Sequence, residues 1–317
     1  MGTVDLGRAR PLAGSEGAGP APAGLRLRPQ SMLFTLWGDY LVHQGGEMAS
    51  RGLVQLGSLF GLSEIALRSA LSRMGRAGWL EVDRRGRRSF YRLSPRGAHL
   101  IAEGSQRIFK RPRVVWDGRW HCVVYSIPEQ HRDLREALRK RLSYIGLGQL
   151  PSGIWVSPHN LSGAVAELVD ELEVRRYVEQ FHGLHLGFAD DRCLAAQAWD
   201  LAGLSARYRT FRARWLAKRR LAERAQPISD QMAFVNRFRL THEYRRFFFD
   251  DPDLPEALLP ERWPGNSAAD LFADLHLAWE VGANRFLAEL RGAAERDGAG
   301  FVEAKAGLTG ERGNLQA

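Results

Sequence analysis

The sequence predicts an α+β protein with three structured segments between two unstructured tails. Apolar residues recur at helical spacing in the first and last thirds, whereas the middle third alternates short apolar strands with amphipathic helices. Glycine and proline separate these segments. The chain has 317 residues, of which 44% are hydrophobic and 26% charged, so it is long enough and apolar enough for several cores.

The first segment, residues 30–112, predicts three helices followed by a β-hairpin. The first helix starts near Ser31, Ser50 is the predicted N-cap of the second, and Gly61 makes the turn to the third. Ser63 is the predicted N-cap of the third helix, whose buried side is predicted to comprise Ile65, Leu67, Ala70, Leu71 and Met74. Gly78 ends that helix, and two strands then flank an arginine-rich tip. This order is typical of a winged helix-turn-helix.

The excess positive charge of the chain is concentrated in this first segment. Residues 26–113 contain 16 Lys or Arg and 6 Asp or Glu, which gives a net charge of +10. Residues 114–317 contain 27 basic and 28 acidic side chains and are close to neutral. A basic segment beside a neutral remainder is typical of a nucleic-acid-binding domain.

The third helix and the hairpin supply the groups that reading a DNA duplex requires. The major groove admits one α-helix, and arginine pairs in a bidentate manner with guanine, whereas serine suits phosphates or base edges. The arginines of the hairpin suit a minor groove or the flanking phosphates. The predicted DNA-contacting residues are Ser63, Arg68, Ser69, Ser72, Arg73, Arg76, Arg84, Arg85, Arg87 and Arg88. A solvated helix face or a winged helix that binds protein is the alternative.

The other segments have different patterns. Residues 113–189 follow the order β-α-β-β-α-β, which predicts a ferredoxin-like sandwich that acts in dimerisation or as a linker. Residues 190–296 are mostly helical, and Ser267 with Asp270 resembles a capping box at the start of the final helix. Residues 1–29 and 297–317 are rich in small residues and aperiodic, which predicts disordered tails.

Three stretches have a distinctive sequence: Gly61–Leu80, Trp116–Pro128 with its Trp-Asp-Gly-Arg-Trp start, and His242–Gly265 with its His-Glu-Tyr-Arg-Arg-Phe start. Together they resemble the PaaX family, the repressors of phenylacetic acid degradation operons. The resemblance covers about Ser31 to Leu290. It implies a homodimeric repressor that binds double-stranded operator DNA and is released by an aryl-CoA thioester, typically phenylacetyl-CoA. It also implies that DNA is read by Arg68, Ser69, Ser72 and Arg73.

Residues in the last helical segment are candidates for effector binding. Arg245 and Arg246 can hold the phosphates of CoA, and Tyr244 with neighbouring aromatics can form the wall of an aryl pocket beside His242. The alternative is a structural network in which these arginines pair with acids of the following loop. The acids of that loop are Asp250, Asp251 and Asp253.

Enzymatic, metal-binding and membrane functions find little support in the sequence. The middle segment resembles the small CRISPR-associated nucleases, which place an aspartate at the end of the first strand to bind a divalent metal, but this chain has Ser126 there. His182, His185 and Cys193 match no standard zinc spacing. No cofactor motif, signal segment or long apolar run occurs, and two isolated cysteines suit a reducing compartment. We therefore predict a cytoplasmic, non-enzymatic regulator without a cofactor. A nucleic-acid-processing enzyme and a winged-helix protein adaptor are the alternatives.

Overall fold

The structure is a computed structural model that describes residues 27–109, 115–224 and 228–296. Most of the two predicted tails, residues 1–26 and 297–317, lies outside these ranges. Among the described residues, no helix combines the length and apolar character needed to cross a membrane.

The first third contains four helices and a small sheet. The elements are α1 (Pro29–Asp39), β1 (Glu47–Ala49), α2 (Ser50–Ser58), α3 (Glu64–Arg76), β2 (Leu80–Arg85), β3 (Arg88–Leu93) and α4 (Pro95–Phe109). The three strands are antiparallel in the order β1-β3-β2. The helices and the hairpin follow the predicted order, and β1 is an additional strand that the sequence pattern did not indicate.

Local signals account for most boundaries in this region. Ser63 caps α3, because its side chain accepts a hydrogen bond from the Ala66 N–H, and Gly61 and Gly78 adopt the positive φ angles of +75° and +72° that the turns on either side require. Two predictions were wrong. Ser50 is the first residue of α2 rather than its N-cap, and Ile65 is 82% exposed rather than buried.

The middle third alternates strands and helices in the predicted order. Its elements are β4 (Arg119–Tyr125), α5 (Arg132–Tyr144), β5 (Gly148–Gln149), β6 (Trp155–Ser157), α6 (Ser162–Glu171) and β7 (Val178–Leu184). The strands form one antiparallel sheet in the order β5-β6-β4-β7. Apolar residues of α5 and α6 pack on one side of this sheet, around Val123 and Trp155.

The last third is helical. It comprises α7 (Asp191–Ala198), α8 (Leu201–Arg224), α9 (Asp230–Tyr244), the short α10 (Phe247–Asp250), α11 (Pro264–Ala278) and α12 (Glu280–Arg296). The predicted capping box was wrong, because α11 already begins at Pro264 and Ser267 lies inside it. Proline is favoured in the first turn of a helix, where its missing N–H costs no hydrogen bond.

Packing groups the described residues into two compact units. The middle unit comprises 115–207 and 249–264, and the terminal unit comprises 27–109, 208–224, 228–248 and 265–296. In the terminal unit, Phe234 and Phe238 of α9 and Leu287 of α12 join the same core as Leu33 and Trp37. Helix α1 is apolar on nearly all sides, so other elements must pack against it from more than one direction. This explains why α9 and α12 contribute to its core.

Candidate nucleic-acid interface

Helix α3 divides into a buried side and an exposed polar side. Leu67, Ala70, Leu71 and Met74 are buried and anchor the helix in the core of the terminal unit. All of the predicted DNA-contacting residues of this region lie on the opposite, exposed side, namely Ser63, Arg68, Ser69, Ser72, Arg73 and Arg76. Because the apolar side of α3 is buried in the core, its arginine and serine side chains project from the opposite surface.

The three arginines of α3 differ in how far their charge is compensated. Arg68 donates to the Glu64 carboxylate at 2.6 Å and to the Ser50 hydroxyl at 3.4 Å. Arg73 donates to the neutral Ser69 hydroxyl at 2.6 Å. Arg76 has no polar partner among the described residues. Two of the three guanidinium groups on α3 are therefore left without a carboxylate within the described structure.

The β2–β3 hairpin carries the second group of predicted DNA-contacting arginines. Its two-residue turn, Gly86 and Arg87, uses the φ of +61° at Gly86 that tight hairpins favour. Arg84 and Arg87 are exposed and have no polar partner within the described ranges, and Arg88 starts β3 opposite Arg85. The turn therefore presents uncompensated positive charge at its tip.

Arg85 differs from its neighbours in the hairpin. It donates to Asp83 at 2.8 Å and to Glu47 at 2.9 Å, and its guanidinium lies 4.5 Å from the Phe90 ring centroid. These hydrogen bonds raise the pKa of Arg85, and the bond that Arg85 donates to Asp83 has the largest effect. Arg85 also lines a cleft of about 320 Å³ that is bordered by β1 and α12. Arg85 thus links the hairpin to β1, and two carboxylates compensate its charge.

The predicted effector residues lie at the end of α9, where His242 and Tyr244 are buried and Arg245 is half-buried. Tyr244 stacks on Phe272, with ring centroids 4.1 Å apart and the rings within 9° of parallel. His242 is 6% exposed and its Nδ1 lies 2.8 Å from the Thr35 hydroxyl. Only Arg246 is exposed.

Arg245 connects α9 to α1. Its Nη1 donates to the Thr35 hydroxyl at 2.8 Å and to the Ser31 carbonyl at 3.2 Å. Burial lowers the pKa of Arg245 to about 10. Burial, together with the positive charges of Arg245 and Arg246, lowers the pKa of His242 to about 3. These contacts favour a structural role for His242 and Arg245. The hydrogen-bond partners of His242 and Arg245 are residues of α1. The structural alternative in the sequence analysis had instead paired the arginines with acids of the loop that follows α9.

A buried ionic network beside this contact was not anticipated from the sequence. The Asp39 carboxylate at the end of α1 accepts from Thr241 at 2.7 Å, lies 2.7 Å from His276 Nε2, and pairs with Arg237 at 3.2 Å. Arg237 also lies 4.7 Å from the Tyr40 ring centroid. An aspartate in an otherwise apolar helix was the available signal, since a buried carboxylate requires partners. The α1–α9 seam, as we call the contacts made by Thr35 and Asp39 with residues of α9 and α11, is the polar part of a mostly apolar core.

The described residues of the middle unit do not form the metal-binding or nuclease site that the alternative interpretations require. His185 Nδ1 lies 3.3 Å from the Asp191 carboxylate, and no group of three His, Cys, Asp or Glu suited to a metal occurs among the described residues. Ser126 follows β4, and its N–H donates to the Tyr177 carbonyl at 2.9 Å.

Comparisons with known proteins agree over nearly the whole described chain. Three family descriptions match it: "PaaX-like protein" at residues 28–97, "PaaX protein central Cas2-like domain" at 113–195, and "PaaX-like protein C-terminal domain" at 199–289. The transcriptional repressor PaaX of Escherichia coli (strain K12) is 34% identical over 264 residues, which are 82% of this chain and 83% of that protein. Among solved structures, the uncharacterized protein Rv0674 from Mycobacterium tuberculosis has 26% identity and a TM-score of 0.52, covering 84% of this chain and 99% of that one.

Proposed function

Because the chain belongs to the PaaX family, we propose that it is a DNA-binding transcriptional repressor that reads its operator with a winged helix-turn-helix formed by α2, α3 and the β2–β3 hairpin. The relative from Escherichia coli carries the name of a transcriptional repressor. This kinship supports a regulator without enzymatic activity.

The single observation that carries the proposal is the exposed, incompletely compensated cationic surface of α3 and the hairpin. Arg73 and Arg76 are exposed on α3 and have no carboxylate partner among the described residues, and Arg84 and Arg87 at the hairpin tip share this property. In the proposed complex α3 enters the major groove, where arginine pairs with guanine and serine with base edges or phosphates. The hairpin follows the adjacent phosphates or the minor groove, where arginine is favoured by the negative potential.

Repression in this proposal requires two copies of the chain. A dimer would present two α3 helices to two half-sites of an inverted repeat in double-stranded DNA. Each copy then contributes the same base contacts, and the spacing of the half-sites follows from the geometry of the dimer.

We further propose that an aryl-CoA thioester such as phenylacetyl-CoA releases the repressor. Arg246 is exposed, and its guanidinium has no polar partner among the described residues, so it is available for a CoA phosphate. Arg245, His242 and Tyr244 would act behind it, by holding the end of α9 against α1 and α11.

The α1–α9 seam offers a physical route from the effector to the DNA-reading surface. A ligand that shifts the end of α9 would disturb the contacts of Arg245 and Thr241 with α1, and α1 shares its core with α3. Release requires different affinities of the effector for two states of the protein. A coupling of about 1–3 kcal/mol would change operator affinity roughly 5- to 150-fold.

Fluorescence anisotropy on the DNA upstream of this protein's own gene cluster tests the proposal. We expect tight binding that weakens steeply with salt and is released by phenylacetyl-CoA. Changing Arg84 and Arg87 to alanine should lower the salt slope by about 2 for each copy, or about 4 for the dimer, since each phosphate contact contributes about 0.9. The matched control changes Arg209 and Arg220, two exposed arginines of α8, to alanine. Equal losses in both double variants would mean unspecific charge attraction, and no preference over random DNA would contradict the repressor.

The effector part of the proposal has a separate test. The Arg246→Ala variant should bind the upstream DNA like the wild type but should need a higher concentration of phenylacetyl-CoA for release. Arg209→Ala is the control for lost surface charge. Unchanged release in Arg246→Ala would contradict the role of Arg246. DNA binding that ignores phenylacetyl-CoA in the wild type would contradict this effector and retain the repressor.

A further inference from the structure

We propose that Arg214, Lys218 and Arg239 form a binding site for a phosphate group of a small ligand, in the groove between α8 and α9 of the terminal unit. The site follows from the charges of this groove, whereas its link to effector release rests on the proposed function. None of the three residues belongs to the predicted effector residues at the end of α9.

Helix α8 is a local concentration of positive charge in the otherwise neutral part of the chain. Residues 201–222 of this helix include seven Lys or Arg and no Asp or Glu. Charge on a helix is usually a solvated surface, so the sequence of α8 alone does not identify a site. What the structure adds is the place where some of these cations meet a further cation from α9.

Two hydrogen bonds join α8 and α9 along this groove. Arg214 Nη1 donates to the Glu243 carboxylate at 2.8 Å, and Lys218 Nζ donates to Asn236 Oδ1 at 3.3 Å. Arg239 lies between these two contacts, three positions after Asn236 and four before Glu243, so it shares the side of α9 that faces α8. Its side chain is exposed and has no polar partner among the described residues. Three cations therefore converge at one groove.

Lys218 is held in the groove instead of extending into water. It is half-buried, and its Nζ lies 4.8 Å from the Trp215 ring centroid. Lysine side chains usually place the ammonium group in solvent. Burial lowers the pKa of Lys218 most, the charges of Arg239 and Arg214 lower it further, and Glu243 acts against them. The groove thus holds like charges close enough to disfavour one another, and a bound anion would relieve this.

The charge of the groove suits a phosphate better than a carboxylate. Glu243 is the acid among the charged groups that act on Lys218, and it already accepts from Arg214 and from Trp215 Nε1, the latter at 3.1 Å. Against three cations, this one carboxylate leaves two positive charges in excess. A phosphate monoester brings nearly two negative charges at neutral pH and three acceptor oxygens, whereas a carboxylate brings one charge. Guanidinium groups also bind phosphate in a bidentate manner.

Under the proposed function, the phosphates come from the CoA thioester. CoA carries a 3′-phosphate and a diphosphate, so one ligand can engage both this groove and Arg246 at the end of α9. Occupation of the groove would then connect α8 to the segment of α9 that contacts α1 through Thr241 and Arg245.

Titration calorimetry of the full-length chain with CoA, in a buffer without phosphate, tests the site. Lys218→Met with Arg239→Met removes two charges but keeps the apolar stems, and it should weaken CoA binding about 100-fold. Arg239→Met alone changes an exposed residue and should weaken it about 10-fold. The matched control is Arg209→Met with Arg220→Met, which removes two exposed charges from α8 and should bind CoA like the wild type. Equal losses in the two double variants would mean general charge attraction and would overturn the inference.

Two further probes separate the phosphate from the rest of the ligand and identify its source. S-phenylacetylpantetheine has the aryl thioester without the phosphates, so its affinity should be the same in the wild type and in Lys218→Met with Arg239→Met. A loss for this probe as large as that for CoA would show a structural defect and overturn the inference. Pyrophosphate should compete with CoA. A wild type that binds pyrophosphate but not CoA, with the loss in the double variant, would support the site and assign it to another phosphorylated ligand. A wild type that binds neither would overturn it.

DNA binding separates failure of this inference from failure of the proposed function. Without effector, Lys218→Met with Arg239→Met should bind the upstream DNA like the wild type. A selective loss of DNA affinity in this variant would identify the groove as a contact to DNA and overturn the small-ligand site. Loss of CoA binding in the variant, together with a wild type that shows no preference for its upstream DNA, would support the site and contradict the repressor.

Discussion

The arginines of α3 and the hairpin differ from those of α9 in what surrounds them. Arg73, Arg76 and Arg84 are exposed, and no carboxylate pairs with them among the described residues. In the same unit, Arg237 is buried and pairs with Asp39, and the half-buried Arg245 donates to the Thr35 hydroxyl. The residue type is the same in both regions, and both regions are helical or adjoin a helix.

This contrast shows why a count of positive charge does not locate a binding surface. The charge of a buried guanidinium is compensated by a group of the protein itself, as Asp39 does for Arg237. Removing that partner leaves an uncompensated charge in a medium of low dielectric constant. An exposed guanidinium without a partner contributes little to stability and is available to a phosphate or a base. We therefore expect substitutions in the α1–α9 seam to affect folding, and those on α3 to affect DNA binding.

The largest expected effect is on stability, from Asp39→Ala. The variant leaves Arg237 and His276 in the core without the carboxylate that both contact. We expect the free energy of unfolding to fall by about 3–5 kcal/mol. Urea unfolding measures this. Asp274→Asn, an exposed position on α11, is the control and should change stability by less than about 0.5 kcal/mol. A loss below about 1 kcal/mol for Asp39→Ala would show that the network does not hold α1 in place.

The next effect falls on DNA recognition. Under the proposed function, Arg73→Ala should cost about 1–3 kcal/mol of operator binding for each half-site and should relax the preference at one base pair of each half-site. The free energy of unfolding should stay within about 0.5 kcal/mol of the wild type. Anisotropy with a set of singly substituted operators measures the preference. If the loss were uniform over all sequences, Arg73 would be a phosphate contact and not a base contact.

A smaller effect concerns the pH dependence of stability. The pKa of His242 is about 3 in the folded protein, because burial and the charges of Arg245 and Arg246 disfavour the imidazolium, against about 6.5 in an unfolded chain. The unfolded state therefore binds more protons between these values, and stability decreases as the pH falls below about 6.5. From pH 7.5 to 5.5 we expect a loss of about 1.4 kcal/mol.

The His242→Gln variant isolates this contribution from that of His121, whose pKa is also lowered, mainly by burial. The variant should be less stable at neutral pH, and its stability should vary less between pH 7.5 and 5.5. Urea unfolding at several pH values gives both quantities. An unchanged pH dependence would mean that His242 is accessible to solvent, as an effector-binding residue would be.

The smallest expected effect is at the start of α3. Ser63→Ala removes the side-chain acceptor for the Ala66 N–H and should lower the free energy of unfolding by about 1 kcal/mol. Ser58→Ala at the end of α2, where the hydroxyl donates to the Gln55 carbonyl, is the control. If Ser63→Ala and Ser58→Ala lowered the free energy of unfolding equally, the cap would contribute no more to stability than the hydrogen bond of Ser58. A loss of DNA binding without a loss of stability would instead favour the predicted DNA contact of Ser63.

The predictable parts of this fold are those encoded by local sequence. Gly61, Ser63, Gly78 and Gly86 determine turns and a cap by their own conformational preferences, and the structure has the corresponding elements. The spacing of apolar residues also predicted which face of α3 is exposed. The error at Ile65 is instructive, because an apolar residue in the first turn of a helix can lie beyond the edge of the core.

The parts that could not be predicted depend on contacts between distant residues. Thr35 and His242 are 207 positions apart, and Asp39 and His276 are 237 positions apart, so no local pattern indicates that they meet. The strand β1 has three residues, too few for a periodic signal, and is defined by its pairing with β3. The same limitation explains why the residues at the end of α9 suggested a ligand site when taken alone, although most of them contact α1 and α11.

The terminal unit is assembled from segments at both ends of the described chain, and this has a consequence for biosynthesis. Leu33 and Trp37 are synthesised long before Phe234, Phe238 and Leu287. All five residues belong to the same hydrophobic core. During synthesis, the segment that carries α1 and α3 therefore has part of its apolar surface exposed while the middle unit is translated, and such intermediates are prone to aggregation. A nascent chain that stops before α9 would carry the arginines of α3 on an unfinished scaffold, so competence to bind DNA would arise only late in translation.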